Sequence, residues 1–176
     1  KLKFRYYPLD ISYKNLNRMK DLTESQIDPV SADVFHLPFM DNAFNFVIMS
    51  EVLEHLDNTS DALREIKRVL NKNGILLISV PYKEKLSYQL CIHCNKPTPT
   101  FAHLQSFDEK KLIQCVKDSG LIPHKVIKTC NKLAMVIKII ILLRNFPFLL
   151  WKFCDRLLNF IIPIPSFIII IAKTSE

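Results

Sequence analysis

Two nearly continuous apolar runs, residues 43–50 and 75–80, bracket one amphipathic segment. Leu63, Ile66, Val69 and Leu70 recur there at helical spacing, with Arg64, Glu65, Lys67 and Arg68 on the other face. Strands buried on both faces of a parallel sheet lose the alternation of half-buried strands. Strand, helix, strand in this form predicts a parallel crossover, and that unit constrains the rest. Residues 4–9 and 30–34 predict earlier strands, with a helix between them that starts at a Ser12 cap and buries Leu16 and Met19. Asn73-Gly74 is expected to close the central helix as a left-handed cap. Ser106-Phe107-Asp108-Glu109 reads as a capping box for a helix that buries Leu112, Ile113 and Val116 and stops at Gly120. Further strands are expected at 121–129 and 166–173. The fold class is α/β: a Rossmann-like, mostly parallel, doubly wound sheet with helices on both faces and an antiparallel final strand.

At 176 residues the chain fits one domain. Three parts are expected: a core over 1–129, an apolar helical insertion over 130–165, and a final strand of the same sheet over 166–176. The net charge of +7 is uneven. Beyond residue 120 only Asp155 and Glu176 offset eight Lys and Arg, in the most apolar third of the chain. Lys138, Arg144, Lys152 and Arg156 interrupt the insertion, so it predicts two short helices hinged at Pro147 rather than a membrane-spanning one. Basic and apolar together, with Trp151 as an anchor, suit an anionic membrane surface; sparse polar residues argue against nucleic acid. A lid over an acceptor pocket and a dimer contact are the competing readings. Five cysteines and no signal-peptide pattern predict reduced thiols in a cytoplasmic, membrane-associated setting.

In open parallel sheets ligands bind outside the carboxyl ends of the strands. Asp10 and Asp33 end two predicted strands, and Ser50-Glu51 ends the third, followed by Glu54 and His55. The run Ala32-Asp33-Val34-Phe35-His36-Leu37-Pro38-Phe39, then Phe44 to His55, resembles the core of the class I S-adenosylmethionine-dependent methyltransferases with a type-11-like domain. The resemblance implies S-adenosylmethionine as methyl donor, with Asp10 and Ile11 at the ribose. It also implies Asp33 and Val34 at the adenine, and Ser50 and Glu51 beneath the methionyl part. Taken alone, Asp10 reads equally well as a helix cap. Only Gly74 and Gly120 are present, neither upstream of this core. The chain is therefore expected to lack the first strand and glycine-rich loop, as an N-terminally truncated domain that holds the donor weakly or not at all.

Glu54 and His55 are the candidate catalytic residues, shaping the acceptor side, with His55 as a general base for a hydroxyl acceptor. Small-RNA 2′-O-methyltransferases carry a similar Glu-x-x-Glu-His plus a later histidine and use them to hold a metal ion. The matching residues here are Glu51, Glu54, His55 and His103. Cys91-Ile92-His93-Cys94 is half of a zinc signature, with His103 as a third candidate ligand; free surface thiols are the alternative. The expected activity is methyl transfer to a small-molecule or lipid-linked acceptor. A degenerate, non-catalytic interaction protein and a metal-dependent RNA 2′-O-methyltransferase are the alternatives. The acceptor atom and the oligomeric state are not encoded in any motif.

Overall fold

The computed structural model describes residues 5–22, 27–136 and 147–174. Elements run in the order β1 (Leu9–Asp10), α1 (Tyr13–Leu22), β2 (Val30–Ser31), β3 (Phe44–Ser50) and α2 (Thr59–Val69). They continue as β4 (Leu70–Pro81), β5 (Tyr88–Leu90), β6 (Pro97–Pro99), α3 (Glu109–Asp118) and β7 (Ile122–Asn131). Last come α4 (Lys132–Val136), α5 (Phe148–Ile161) and β8 (Pro165–Lys173). The principal sheet has the order β3-β4-β8-β7. β3 and β4 are parallel, while β8 runs antiparallel to both its neighbours, β4 and β7. The final strand is antiparallel as expected, but it is inserted inside the sheet and leaves β7 at the edge.

β1 and β2 form a separate parallel pair, extended by a bridge between Tyr6 and Ile27. Among the described residues no ladder joins this pair to β3. Residue 4 of the strand expected over 4–9 lies outside the described residues, and the described part forms a strand at Leu9–Asp10. β3 is correspondingly not buried on both faces: Phe46 is 48% and Ile48 60% exposed, on a strand that among the described residues pairs only with β4.

Along β4 and β8 every second residue turns inward: Leu76, Ile78 and Val80, then Ile168, Ile170 and Ala172, all fully buried. These meet Leu63 and Ile66 of α2 and Leu112 and Val116 of α3 in one core. Ile75, Leu77, Ile169 and Ile171 face the other way and are only partly buried, so the two faces are covered unequally.

Several boundaries move for local reasons. α2 starts behind Asn58, whose side chain accepts from the Asp61 amide, and ends at Val69. Leu70 is already extended and paired with Phe44, so the helix closes before Asn73-Gly74. Asn73, with φ of 61°, takes the left-handed position instead, within a register shift of β4 against β3. α3 is capped by Asp108, not Ser106, through the Lys111 amide at 2.8 Å. Gly120 ends that helix with φ of 77°, as expected. The polar stretch before it holds an unforeseen hairpin, β5–β6, with Cys91 and Cys94 in its tip. Met19 is 40% exposed, whereas Leu16 is buried.

The insertion is closed at its neck. The Lys132 amide donates to the Ile164 carbonyl, and Asn131 Nδ2 donates to the Ile162 carbonyl. α5 is pinned by Asp155, which accepts from Thr129 Oγ1 and from the Cys130 and Asn131 amides at 2.9–3.1 Å. Lys138 and Arg144 lie outside the described residues. Among the described residues no helix is long and apolar enough to cross a membrane.

The loop between β2 and β3 hangs on Arg68. Its guanidinium donates to the Leu37 and Phe39 carbonyls, to Asp41 and twice to Glu65. Glu65 in turn accepts from the Leu37 amide at 2.8 Å. The Arg68 guanidinium and the Leu37 amide hold the Glu65 carboxyl below its ordinary value, against a smaller opposing effect of burial. Stability from this group is therefore present above the unfolded pKa of about 4.3 and lost as pH falls through the lower folded value. Glu65→Gln is expected to lower the thermal midpoint by about 3–6 °C at pH 7. In melts taken from pH 7 down to pH 3 the difference from the parent should shrink toward the acid end.

Candidate functional site

The gap between the β1–β2 pair and β3 is a cleft of about 840 Å³. One wall is Arg5 to Ile11 with Ala32, Asp33 and Val34; the other is Phe46 to Met49 with Glu51, Val52 and His55. Tyr7, Phe39 and Phe44 close one part of it as an edge-to-face trio with centroids 4.7–5.9 Å apart. This volume is within the range of small-molecule and cofactor sites, and the lining is mostly apolar with a few carboxylates.

The structure brings Asp10, Ile11, Asp33, Val34 and Glu51 to this one cleft, although they are spread over 42 positions of sequence. Asp10 also does the work of a local cap: its oxygens accept from the Ser12 amide at 2.7 Å and Asn15 Nδ2 at 3.2 Å. A carboxylate has about four acceptor sites, so two remain for a ligand. Asp33 forms an Asx-type turn with the Phe35 amide at 3.0 Å. Ser50 lies at the tip of β3 but is not part of the cleft lining; its hydroxyl is 2.9 Å from that of Ser79 on β4.

Glu51 is held in the left-handed region, φ 53°. Its amide donates to the Ser79 carbonyl, and its carboxylate accepts from Ser79 Oγ at 2.9 Å. A non-glycine residue in that region costs about 1–2 kcal/mol and persists where surroundings over-determine it.

Next comes a single turn of 3-10 helix, Leu53–His55, which buries Glu54 to 1% exposure. The Glu54 carbonyl accepts from the Leu104 and Gln105 amides, and Gln105 Nε2 donates to the Leu56 carbonyl. These bonds draw residues 102–105 onto the strand tip. His55 Nδ1 is 3.1 Å from the Ala102 carbonyl, and its ring meets that of His103 at 4.8 Å. His103 Nδ1 reaches the Glu84 carboxylate at 2.5 Å. Phe101 and Ala102 both take left-handed φ, 61° and 59°, just before His103. Burial pushes the Glu54 carboxyl above its ordinary value, and the nearby Glu51 carboxylate adds to the rise.

His103 is thereby gathered with Glu54 and His55; among the described residues it forms no ligand cluster with Cys91 and Cys94. The cysteines are carried off on the β5–β6 hairpin, while the amides after His103 are tied to Glu54. Glu84 and the Ala102 carbonyl had no signal in the sequence, since nothing in spacing shows a left-handed kink at 101–102.

Residues 1–78 match the family model described as a methyltransferase domain. An uncharacterised protein of Methanocaldococcus jannaschii is 45% identical over 78 residues, 44% of this chain and 32% of that protein. A ubiquinone/menaquinone biosynthesis C-methyltransferase of Neisseria meningitidis is 39% identical over 71 residues, 40% of this chain and 29% of that enzyme. The chain thus spans about a third of the length of these curated relatives. An S-adenosylmethionine-dependent methyltransferase of Mesorhizobium loti superposes with a TM-score of 0.62 at 15% identity, over 96% of this chain and 80% of that one. The Burkholderia thailandensis 1,6-didemethyltoxoflavin-N1-methyltransferase, bound to 1,6-didemethyltoxoflavin and S-adenosylhomocysteine, gives 0.64 at 12% identity, over 98% and 62%. The described chain has the class I methyltransferase fold.

Two thiols differ in a way that labelling reads directly. The His93 and Cys94 amides, with the Cys94 side chain, hold the Cys91 thiol below its ordinary value; burial pushes the Cys130 thiol up. Alkylation by iodoacetamide, followed by peptide mass spectrometry across pH 6–10, should show Cys91 reacting with a midpoint below the usual 8.5 or so. Cys130 should lag at every pH.

Proposed function

We propose that this chain, which has the class I methyltransferase fold, is an S-adenosylmethionine-dependent methyltransferase that transfers a methyl group to a small-molecule or lipid-linked acceptor through the cleft between β1 and β3. The observation that carries this reading is the convergence of Asp10, Asp33 and Glu51 on one apolar cleft, in family order, within the matched residues 1–78. When bound, the donor supplies an electrophilic methyl on a sulfonium. The spare acceptor sites of Asp10 suit the ribose hydroxyls, Asp33 and Val34 suit the adenine edge, and Glu51 faces the charged methionyl end. Glu54 and His55 stand at the acceptor side. Methyl transfer gains mainly from alignment and exclusion of water, which rigid strand tips and an apolar lining favour.

Titration calorimetry with S-adenosylhomocysteine tests the donor site. Saturable binding that Asp33→Ala weakens about tenfold, the worth of one or two hydrogen bonds, is the expected result. A folded chain that does not bind at millimolar ligand would favour the alternative, a methyltransferase-fold interaction protein.

The lipid-linked acceptor is supported by α5. Phe148, Leu149, Phe153 and Phe160 are 62–86% exposed, beside Trp151, Lys152 and Arg156. Such a helix suits an anionic bilayer surface. Cosedimentation with vesicles containing phosphatidylglycerol should exceed that with phosphatidylcholine alone, and Phe153→Asp combined with Phe160→Asp should abolish it. Equal recovery of parent and variant would remove the membrane reading.

A further inference from the structure

We propose that Glu54, His55 and His103 form a binding site for one divalent first-row cation, of the Zn²⁺ or Mn²⁺ type, at the acceptor end of the cleft. The three residues each offer a ligand atom, and these lie within 4.8 Å of one another. Ligands of a bound zinc stand about 3–3.5 Å apart, so side-chain rotation closes the set.

The second observation is independent of that proximity. Both carboxylate oxygens of Glu54 are buried without a hydrogen-bond partner among the described residues. A carboxylate removed from water and left unpaired is costly, and buried charges are normally paired or coordinate a metal. The His55 and His103 imidazoles each offer a ligand atom within 4.8 Å of the carboxylate, and a cation among the three relieves the cost.

The third observation is the state of the rings. The Ala102 carbonyl can only accept, so His55 Nδ1 carries the proton and Nε2 keeps its lone pair. The Glu84 carboxylate fixes His103 in the same way. A histidine that donates its second nitrogen to a carboxylate or a backbone carbonyl is the usual outer support of a metal ligand. Here both supports are in place, and residues 101–102 adopt left-handed backbone to deliver them. Glu51 is outside the set: its carboxylate is engaged by Ser79 Oγ. Two imidazoles and one carboxylate favour zinc, manganese or iron over the all-oxygen shells of magnesium and calcium.

Three ligands leave coordination positions open, and His55 also lines the cleft. An acceptor oxygen entering there would bind the cation and lose its proton more readily. That role rests on the methyltransferase reading; metal binding itself does not.

The test uses the chain with Cys91→Ser and Cys94→Ser, so that the hairpin thiols do not compete. Calorimetry with MnCl₂ and ZnCl₂ on the chelator-treated protein should show one equivalent bound, with no donor or acceptor present. Glu54→Gln, nearly isosteric, and His103→Ala should each weaken binding by at least about 100-fold, and Glu84→Gln by about 10-fold through loss of ring support. Circular dichroism confirms that each variant is folded. Absence of binding to the folded parent overturns the proposal, as does binding that survives Glu54→Gln and His103→Ala unchanged. Failure of S-adenosylhomocysteine to bind, with metal binding intact, would remove the methyltransferase reading and leave the cation site standing.

Discussion

Parallel pairing of β3 with β4, in a register that sets Ser50 opposite Ser79, brings two strand ends to the same edge of the sheet. From that edge the chain must turn back into α2, and the turn is where the chemistry accumulates. Glu51 is forced left-handed by its bonds to Ser79, and Glu54 is pressed inside one residue turn later. The Glu54 carbonyl then recruits a segment about 50 residues downstream. Strand pairing, backbone strain, burial of a carboxylate and the arrival of His103 are successive consequences of one register.

The cleft follows from a second consequence, the free edge of β3. Among the described residues this apolar strand pairs on one side only, and Phe46 and Ile48 are left partly exposed along the cleft. Tyr7, Phe39 and Phe44 gather on the same gap, and the Arg68–Glu65 clamp keeps the intervening loop from drifting away. An exposed apolar edge is ordinarily a liability for aggregation. Here it doubles as a wall of the cleft in which Asp10, Asp33 and Glu51 meet.

Much of this was legible from residue patterns. The strand–helix–strand unit held, because a run such as Phe44–Ser50 and an amphipathic helix such as Thr59–Val69 carry their signals locally. Asp10, Asp33 and Glu51 do line one cleft, but the strand expected over 30–34 ends at Ser31, so Asp33 reaches the cleft from the loop after β2 rather than from a strand end. Local rivalry between caps was not legible: Asp108 displaced Ser106 as the helix cap, and strand pairing at Leu70 ended α2 before Asn73. The hairpin at Tyr88–Leu90 escaped notice because its strands are three residues long and carry two prolines.

The sequence by itself determined the α/β class, the order of the strand tips and the acidic residues they present, since each depends on periodicity within a few turns of chain. Only the tertiary structure decided which histidine joins Glu54. Cys91 and Cys94 are nearer to His103 in sequence, yet amide bonds from Leu104 and Gln105 to the Glu54 carbonyl draw His103 to the strand tip. The same is true of β8, whose place between β4 and β7 depends on partners more than 30 residues away. Contacts of that range are set by which surfaces remain to be buried once the local elements have formed.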